Sequence, residues 1–255
     1  MGWMHDTLEY FKKEPVHRKY HHNQLTFGMI YQNTERFMMA FSHDEVVHGK
    51  KSMMLKMGAD HIPEKAQTLR SLYGWMWGWP GKKTLFMGCE FGQSSEWAYD
   101  RSLDWHLLQY LDHEGIRLLV ADLNQFYLNN RFLSESDYDS KSFQWVNNND
   151  GNNSVISFVR FGSKPGELLL VVSNFTPVPR PSSRVGVPSD GTWVEALNTN
   201  SKKYGGNGAG NLEGVKTQPI KWDGRNHAVD LFLPGMTTLF FLLTPAPAEV
   251  KEPAK

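Results

Sequence analysis

"RFMMAFSHDEVVHGK", residues 36–50, sets a short apolar run against a loop, "FSHDEVVHGK", that packs five ionisable side chains into ten residues. The apolar part has the length of one buried strand. A charged loop at its carboxyl end is where parallel sheets and barrels gather the side chains that meet a ligand. The same rhythm returns downstream. "IPEKAQTLRSLYGWMWGWP" (62–80) puts Ile62, Ala66, Leu69, Tyr73 and Met76/Trp77 on one helical stripe, with Pro63 in the first turn and Pro80 beyond the end. "KKTLFMG" (82–88) is a second brief apolar run, bounded by Gly81 and Gly88 and patterned as a strand buried on both faces. "HEGIRLLVADLNQFYLNN" (113–130) aligns Ile116, Leu119, Val120, Leu123 and Phe126/Tyr127 on a second amphipathic helix. Strand, loop, helix, strand, loop, helix predicts a parallel α/β sheet.

The texture changes after about Ser134. "NNNDGNNSVISFVRF", "GELLLVVSNFTPV", "GTWVEALNT" and "HAVDLFLPGMTTLFFLL" are short β-rich runs punctuated by Gly, Asn and Pro, which predicts an all-β domain built as a sandwich. Within it "YGGNGAGNLEG" (204–214) reads as a mobile loop. The predicted division is residues 1–134 for the α/β part, 135–245 for the all-β domain and 246–255, within the Pro/Ala/charged "TPAPAEVKEPAK", for a disordered tail.

Composition narrows the classes of function. Lys+Arg and Asp+Glu both number 27, so nothing favours a nucleic acid over a neutral ligand. Nine Trp, nine Tyr and fifteen Phe are a heavy aromatic load, and flat rings with polar edges suit sugar faces as well as cores. One cysteine, Cys89, rules out an internal disulfide and fits a reducing compartment. The opening "MGWMHDTLEYFKKEP" has no signal-peptide core, and no apolar run has membrane-spanning length, so a cytoplasmic protein without membrane contact is expected.

Spacing leaves the charged loop with two readings. A His43–Asp44 pair can grip ligand hydroxyls or share charge in a transition state; a solvated turn can instead use Ser42 or Asp44 to cap the next helix. His21, His22, His43 and His48 show neither HExxH nor CxxC spacing, so no metal site is expected, and no cofactor. Cys89 lies in an apolar stretch and reads as a buried, inert thiol.

"GWMHDTLEYF", "YHHNQLTFGMIY", "FSHDEVVHGKKSMM", "LYGWMWGWPGKKTLFMGCEFGQ", "EWAYDRSLDWHLL" and "HEGIRLLVADLNQFY" together resemble the 1,4-alpha-glucan (glycogen) branching enzymes of the alpha-amylase superfamily. The resemblance runs in order from residue 2 to about residue 145, and more loosely to about Leu243. It implies α/β plus all-β architecture: the C-terminal portion of a (β/α)8 barrel followed by a C-terminal β-sandwich. It also implies an α-glucan substrate. Carried onto this chain, Asp44 becomes the third catalytic carboxylate, which steadies the oxocarbenium-like transition state, and His43 a hydrogen-bond partner of the same sugar. Trp3, Asp6 and Glu45 become substrate-binding candidates at the cleft edge. Cys89 stands where the family's "GNEFGQ" has Asn.

The resemblance equally implies what is missing. Retaining transfer needs a nucleophile and an acid/base besides Asp44. The family carries both on the fourth and fifth barrel strands, upstream of this loop. Only 42 residues precede His43, room for about one βα unit of roughly 30 residues, and Asp6 and Glu9 do not match those motifs. The nucleophile and acid/base are therefore expected to be absent, and the chain to be the C-terminal piece of a longer enzyme, inactive alone. Its partner would be the missing N-terminal half, which would cover an open strand edge and an apolar face. The competing reading is a non-catalytic glucan-binding or scaffold protein.

Overall fold

The computed structural model describes residues 2–245. The tail expected at 246–255 lies outside them. The chain begins with α1 (Gly2–Lys12) and α2 (Asn23–Thr26), followed by β1 (Met38–Phe41), α3 (Met53–Lys56), α4 (Ile62–Gly78), β2 (Lys82–Leu85), α5 (Leu111–Asn129) and α6 (Arg131–Glu135). β1 and β2 pair in parallel, Met38 opposite Lys82 and Phe41 opposite Leu85. α4 is the crossover between them, as the spacing predicts.

Neither strand is buried on both faces. Met38 is 59% exposed while Met39 and Phe41 are buried, and Lys82, Lys83 and Leu85 are only half-buried. The reason is that this sheet has two strands among the described residues, so nothing covers its second face. A run of four apolar residues cannot tell a covered strand from an uncovered one.

α4 departs from its expected stripe in the other direction. From Leu69 to Gly78 every residue is buried, whichever way it points. One side meets α5, where Trp77 donates its indole N–H to Asn124; the other lies on the β-domain, where Trp75 packs edge-on against Phe158 and Phe175. Gly74 and Gly78 permit this approach. A Cβ on Gly74 would sit 2.7 Å from both Thr199 and Thr238.

The rest is antiparallel. Strands β3 (Phe143–Asn147), β4 (Val155–Phe161), β5 (Leu168–Asn174), β7 (Gly191–Asn198), β8 (Val215–Lys216) and β10 (Thr237–Pro245) form a six-stranded sheet in the order β3-β4-β5-β10-β7-β8. β6 (Arg180–Val187) and β9 (His227–Leu233) form a two-stranded sheet facing it. Between the two lies one core, built from Val159, Leu170, Val185, Trp193, Val229 and Phe241 among others. The other face of the large sheet presents Phe158, Val171 and Phe240 to α4 and α5. The sandwich thus supplies two layers of a three-layer stack, which explains why β5 is apolar at successive positions and buried along its whole length. Each large side chain so buried contributes on the order of 2–3 kcal/mol.

The segment 204–214, expected to be mobile, is pinned. Tyr204 is buried and donates to Asp122, Asn211 exchanges hydrogen bonds with the Phe232 backbone, and the Glu195 carboxylate accepts from Asn198 and Asn211. Glycine richness there serves close backbone approach: a Cβ on Gly206 would meet the Asn200 carbonyl oxygen at 2.0 Å. No helix among the described residues is long and apolar enough to cross a membrane.

Candidate functional site

The charged loop leaves the carboxyl end of β1. Phe86 extends the pairing by donating its N–H to the Phe41 carbonyl, 3.0 Å, so both strands end at the same level. Ser42 is extended and its hydroxyl caps nothing; His43–Glu45 then form one 3-10 turn. Capping of the following helix falls to Ser52, whose Oγ accepts from the Leu55 N–H at 3.2 Å. The capping alternative for Ser42 and Asp44 is thereby corrected.

Within the turn three consecutive ionisable residues diverge. His43 Nε2 and Asp44 Oδ1 are 3.2 Å apart, with side chains 60% and 62% exposed. Glu45 points the opposite way. Its carboxylate is 5% exposed and accepts from Lys56 Nζ at 3.2 Å, and Lys56 also donates to the Glu45 carbonyl oxygen. Burial pulls the Lys56 ammonium below its ordinary range, with Glu45 opposing. His5 on α1 completes this underside, 3.9 Å from Glu45 Oε1.

The loop beyond is fixed by a second acid. His48, Gly49 and Lys51 all have positive φ, which costs His48 and Lys51 roughly 1–2 kcal/mol each. The Glu96 carboxylate offsets this by accepting from the backbone N–H groups of Gly49 (3.0 Å) and Lys51 (2.6 Å), bonds that hold its pKa below the ordinary carboxylate value. Trp97 N–H donates to the Val46 carbonyl at 2.9 Å and packs its ring on Phe86. The segment after β2 therefore braces the segment after β1.

Trp3 is 5% exposed, 5.6 Å from the Phe41 ring and 6.4 Å from Trp79. With Tyr31, Phe37, Met38 and Met39 it lines an apolar cavity of about 190 Å³ beside β1. Asp6, on the exposed side of α1, is half-buried; burial raises its pKa, with His5 opposing. Among the described residues no hydrogen bond joins Asp6 to His43 or Asp44. The structure thus brings His43 and Asp44 together, and sets Glu45 and Trp3 beneath them in the framework.

Two residues of this framework, Lys56 and Glu96, escape the sequence reading. "MMLKM" carries the one available signal, a lysine flanked on both sides by apolar residues; the mate of Glu96 is backbone, which leaves no mark in sequence. Cys89 is buried, and burial pushes its thiol up to about 12. An inert thiol follows.

Residues 145–244 match the alpha amylase C-terminal all-beta domain. Over 243 residues the chain is 51% identical to the 1,4-alpha-glucan branching enzyme GlgB of Roseobacter denitrificans, covering 95% of this chain and 33% of that protein. Nearly the whole chain is thus similar to a portion of a 1,4-alpha-glucan branching enzyme. The GlgB of Aquifex aeolicus is 51% identical, across 94% of this chain and 38% of its own length, and that of Cellvibrio japonicus 49%, across 95% and 33%. The chain therefore spans about a third of the length of these branching enzymes. The fold matches the crystal structure of alpha-amylase from H.orenii with a TM-score of 0.51 and 16% identity, over 95% of this chain and 47% of that one.

Proposed function

We propose that this chain forms the part of a 1,4-alpha-glucan branching enzyme that holds the third catalytic carboxylate, Asp44, and that its 255 residues alone carry out no branching. On this reading β1, α4, β2 and α5 are the last two βα units of a (β/α)8 barrel, which occupy residues 1–134 together with α1, and 135–245 are its β-domain. The reaction cleaves an α-1,4 linkage, holds the glucan as a covalent ester and passes it to a 6-hydroxyl. Asp44 and His43 grip hydroxyls of the sugar at the cleavage point, and Asp44 steadies the positive charge that develops there. Asp6 edges the cleft, buried Trp3 packs beneath the turn, and Glu45, through Lys56, fixes the turn from below.

One observation carries this reading: an exposed aspartate–histidine pair at the carboxyl end of a parallel strand, on a turn held by buried Lys56 and by Glu96, where a barrel enzyme presents its chemistry. The nearby acids support the second half. Glu45 is taken by Lys56, Glu96 by two amides and Asp104 by Ser95, so each serves the framework rather than a bond-breaking role. The uncovered face of β1 and the apolar cavity beside it are what further barrel strands would cover.

The test is to incubate the purified chain with amylose, alone and with a separately produced upstream barrel portion of a branching enzyme. New α-1,6 linkages are expected in the mixture only, and Asp44→Ala is expected to abolish them. Branching by the chain alone would refute the proposal.

A further inference from the structure

Two of the nine tryptophans are exposed by more than a third among the described residues, Trp105 and Trp222. Trp105 stacks on Phe91. Trp222, 45% exposed, belongs to neither hydrophobic core; among the described residues the cation over its ring is the Arg184 guanidinium at 5.8 Å. The fold nonetheless holds it firmly. Trp222 and Arg225 exchange both backbone hydrogen bonds, 3.1 and 2.8 Å, across Asp223 and Gly224, whose φ values of 48° and 71° make the turn a left-handed two-residue hairpin. The Asp223 carboxylate accepts from Gly186 N–H at 3.0 Å and from Asn147 at 3.3 Å, and the Arg225 guanidinium donates to Gln144 at 2.9 Å. Gly186 lets the turn lie directly on β6, since a Cβ there would meet the Trp222 carbonyl oxygen at 2.3 Å.

A hairpin fastened at this many points keeps a large apolar ring in water, which the hydrophobic effect opposes. Lys221 and Asn226 stand exposed beside the ring as hydrogen-bonding groups. The charges nearby are mixed and leave a net of +1: Arg184 is spent on a bidentate pair with Asp230, 2.8 and 2.9 Å, and Asp223 lies with Arg225 and Lys221 in the same short turn. No cluster of one sign gathers here for an ionic ligand. A flat, immobile indole edged with polar groups suits instead the apolar C–H face of a pyranose, with hydroxyls meeting the rim.

We propose that the Trp222 hairpin is a platform on the β-domain that holds a run of glucose units of an α-1,4-glucan, built from different elements than the His43–Asp44 loop. The choice of an α-glucan rests on the function proposed above. The platform itself requires no bond cleavage, so the two ideas fail separately: this one is read by binding alone and that one by new linkages.

The experiment is affinity electrophoresis of the full 255-residue chain through gels containing amylose, with maltoheptaose as competitor and folding checked by circular dichroism. The unsubstituted chain is expected to be retarded. Trp222→Ala is expected to weaken its apparent affinity about tenfold or more, the cost of losing an aromatic anchor. Trp222→Tyr is expected to fall between the two, and Leu212→Ala, at an exposed apolar site without a ring, to match the unsubstituted chain. An unretarded chain, or equal retardation of Trp222→Ala, would overturn the proposal. Equal retardation by a β-1,4-glucan would overturn its assignment to α-glucan.

Discussion

Asp44 and Asp137 are both aspartates beside cationic side chains, and their surroundings give them opposite roles. Asp44 is 62% exposed and touches His43. Replacing it with Ala should change stability by no more than about 0.5 kcal/mol in urea unfolding, while removing the activity of the reconstituted enzyme. Asp137 is fully buried, accepts from Gly81 N–H at 2.9 Å and from Tyr127, and faces Lys82, Lys83 and Arg160 at 3.2, 3.9 and 3.3 Å. Burial pushes its carboxyl up, but Lys83, Tyr127 and Arg160 push it further down, so it stays ionised. Asp137→Asn strips the counter-charge from Arg160 and Lys83 and should cost about 3–5 kcal/mol, read by the urea midpoint. Burial lowers the Lys83 pKa to about 7 against the pull of Asp137. Between about pH 7 and 9 the unfolded chain thus binds more protons at Lys83 than the folded one, and this residue's contribution to stability rises with pH. Lys83→Met should flatten that rise; an unchanged slope would contradict it. Asp44 could be picked out in the sequence because its loop follows an apolar run and its motif resembles a known family; the apolar run alone left a solvated turn equally open. Asp137 could not, because its cations come from residues 82, 83 and 160, which only the fold brings together.

At the scale of elements, α4 was the most legible and its burial the least. His61 N–H donates to the Glu64 carboxylate at its start, 3.3 Å, Pro63 sits in the first turn, and Pro80 follows its end, so its limits are written locally. That it is covered on all sides follows from β5 and β10 lying across it, which no local pattern encodes. Gly74 marks this contact. Gly74→Ala places a methyl 2.7 Å from Thr199 and Thr238 and should cost about 1–3 kcal/mol in thermal or urea unfolding, despite the better helix propensity of alanine. A neutral or stabilising result would mean that the β-domain yields at that point. β6 was missed because "RPSSRVGV" opens with polar residues and proline; its first half is an exposed edge, and only Val185 and Val187 reach the core.

The whole molecule is tied together by side chains that cross the expected boundary at residue 134. Trp75 and Trp79 share a core with Phe158 and Phe175, and buried Arg18 donates to the Phe175 carbonyl at 3.0 Å as well as to the Phe11 carbonyl at 3.3 Å. A single cooperative unfolding transition is expected, with tryptophan fluorescence and far-ultraviolet circular dichroism coincident. Residues 135–245 produced alone should be less stable, since Phe158, Val171 and Phe240 would lose their cover; two separated transitions in the full chain would contradict this. The same reasoning bears on chemistry: the charged loop is rigidly presented, and on the proposed function its bond-making companions would come from upstream strands. The most direct check is the yield of α-1,6 linkages from amylose incubated with the purified 255-residue chain. No linkages above the protein-free blank are predicted until the upstream barrel portion is added. Branching at a rate proportional to the concentration of this chain alone would contradict the account.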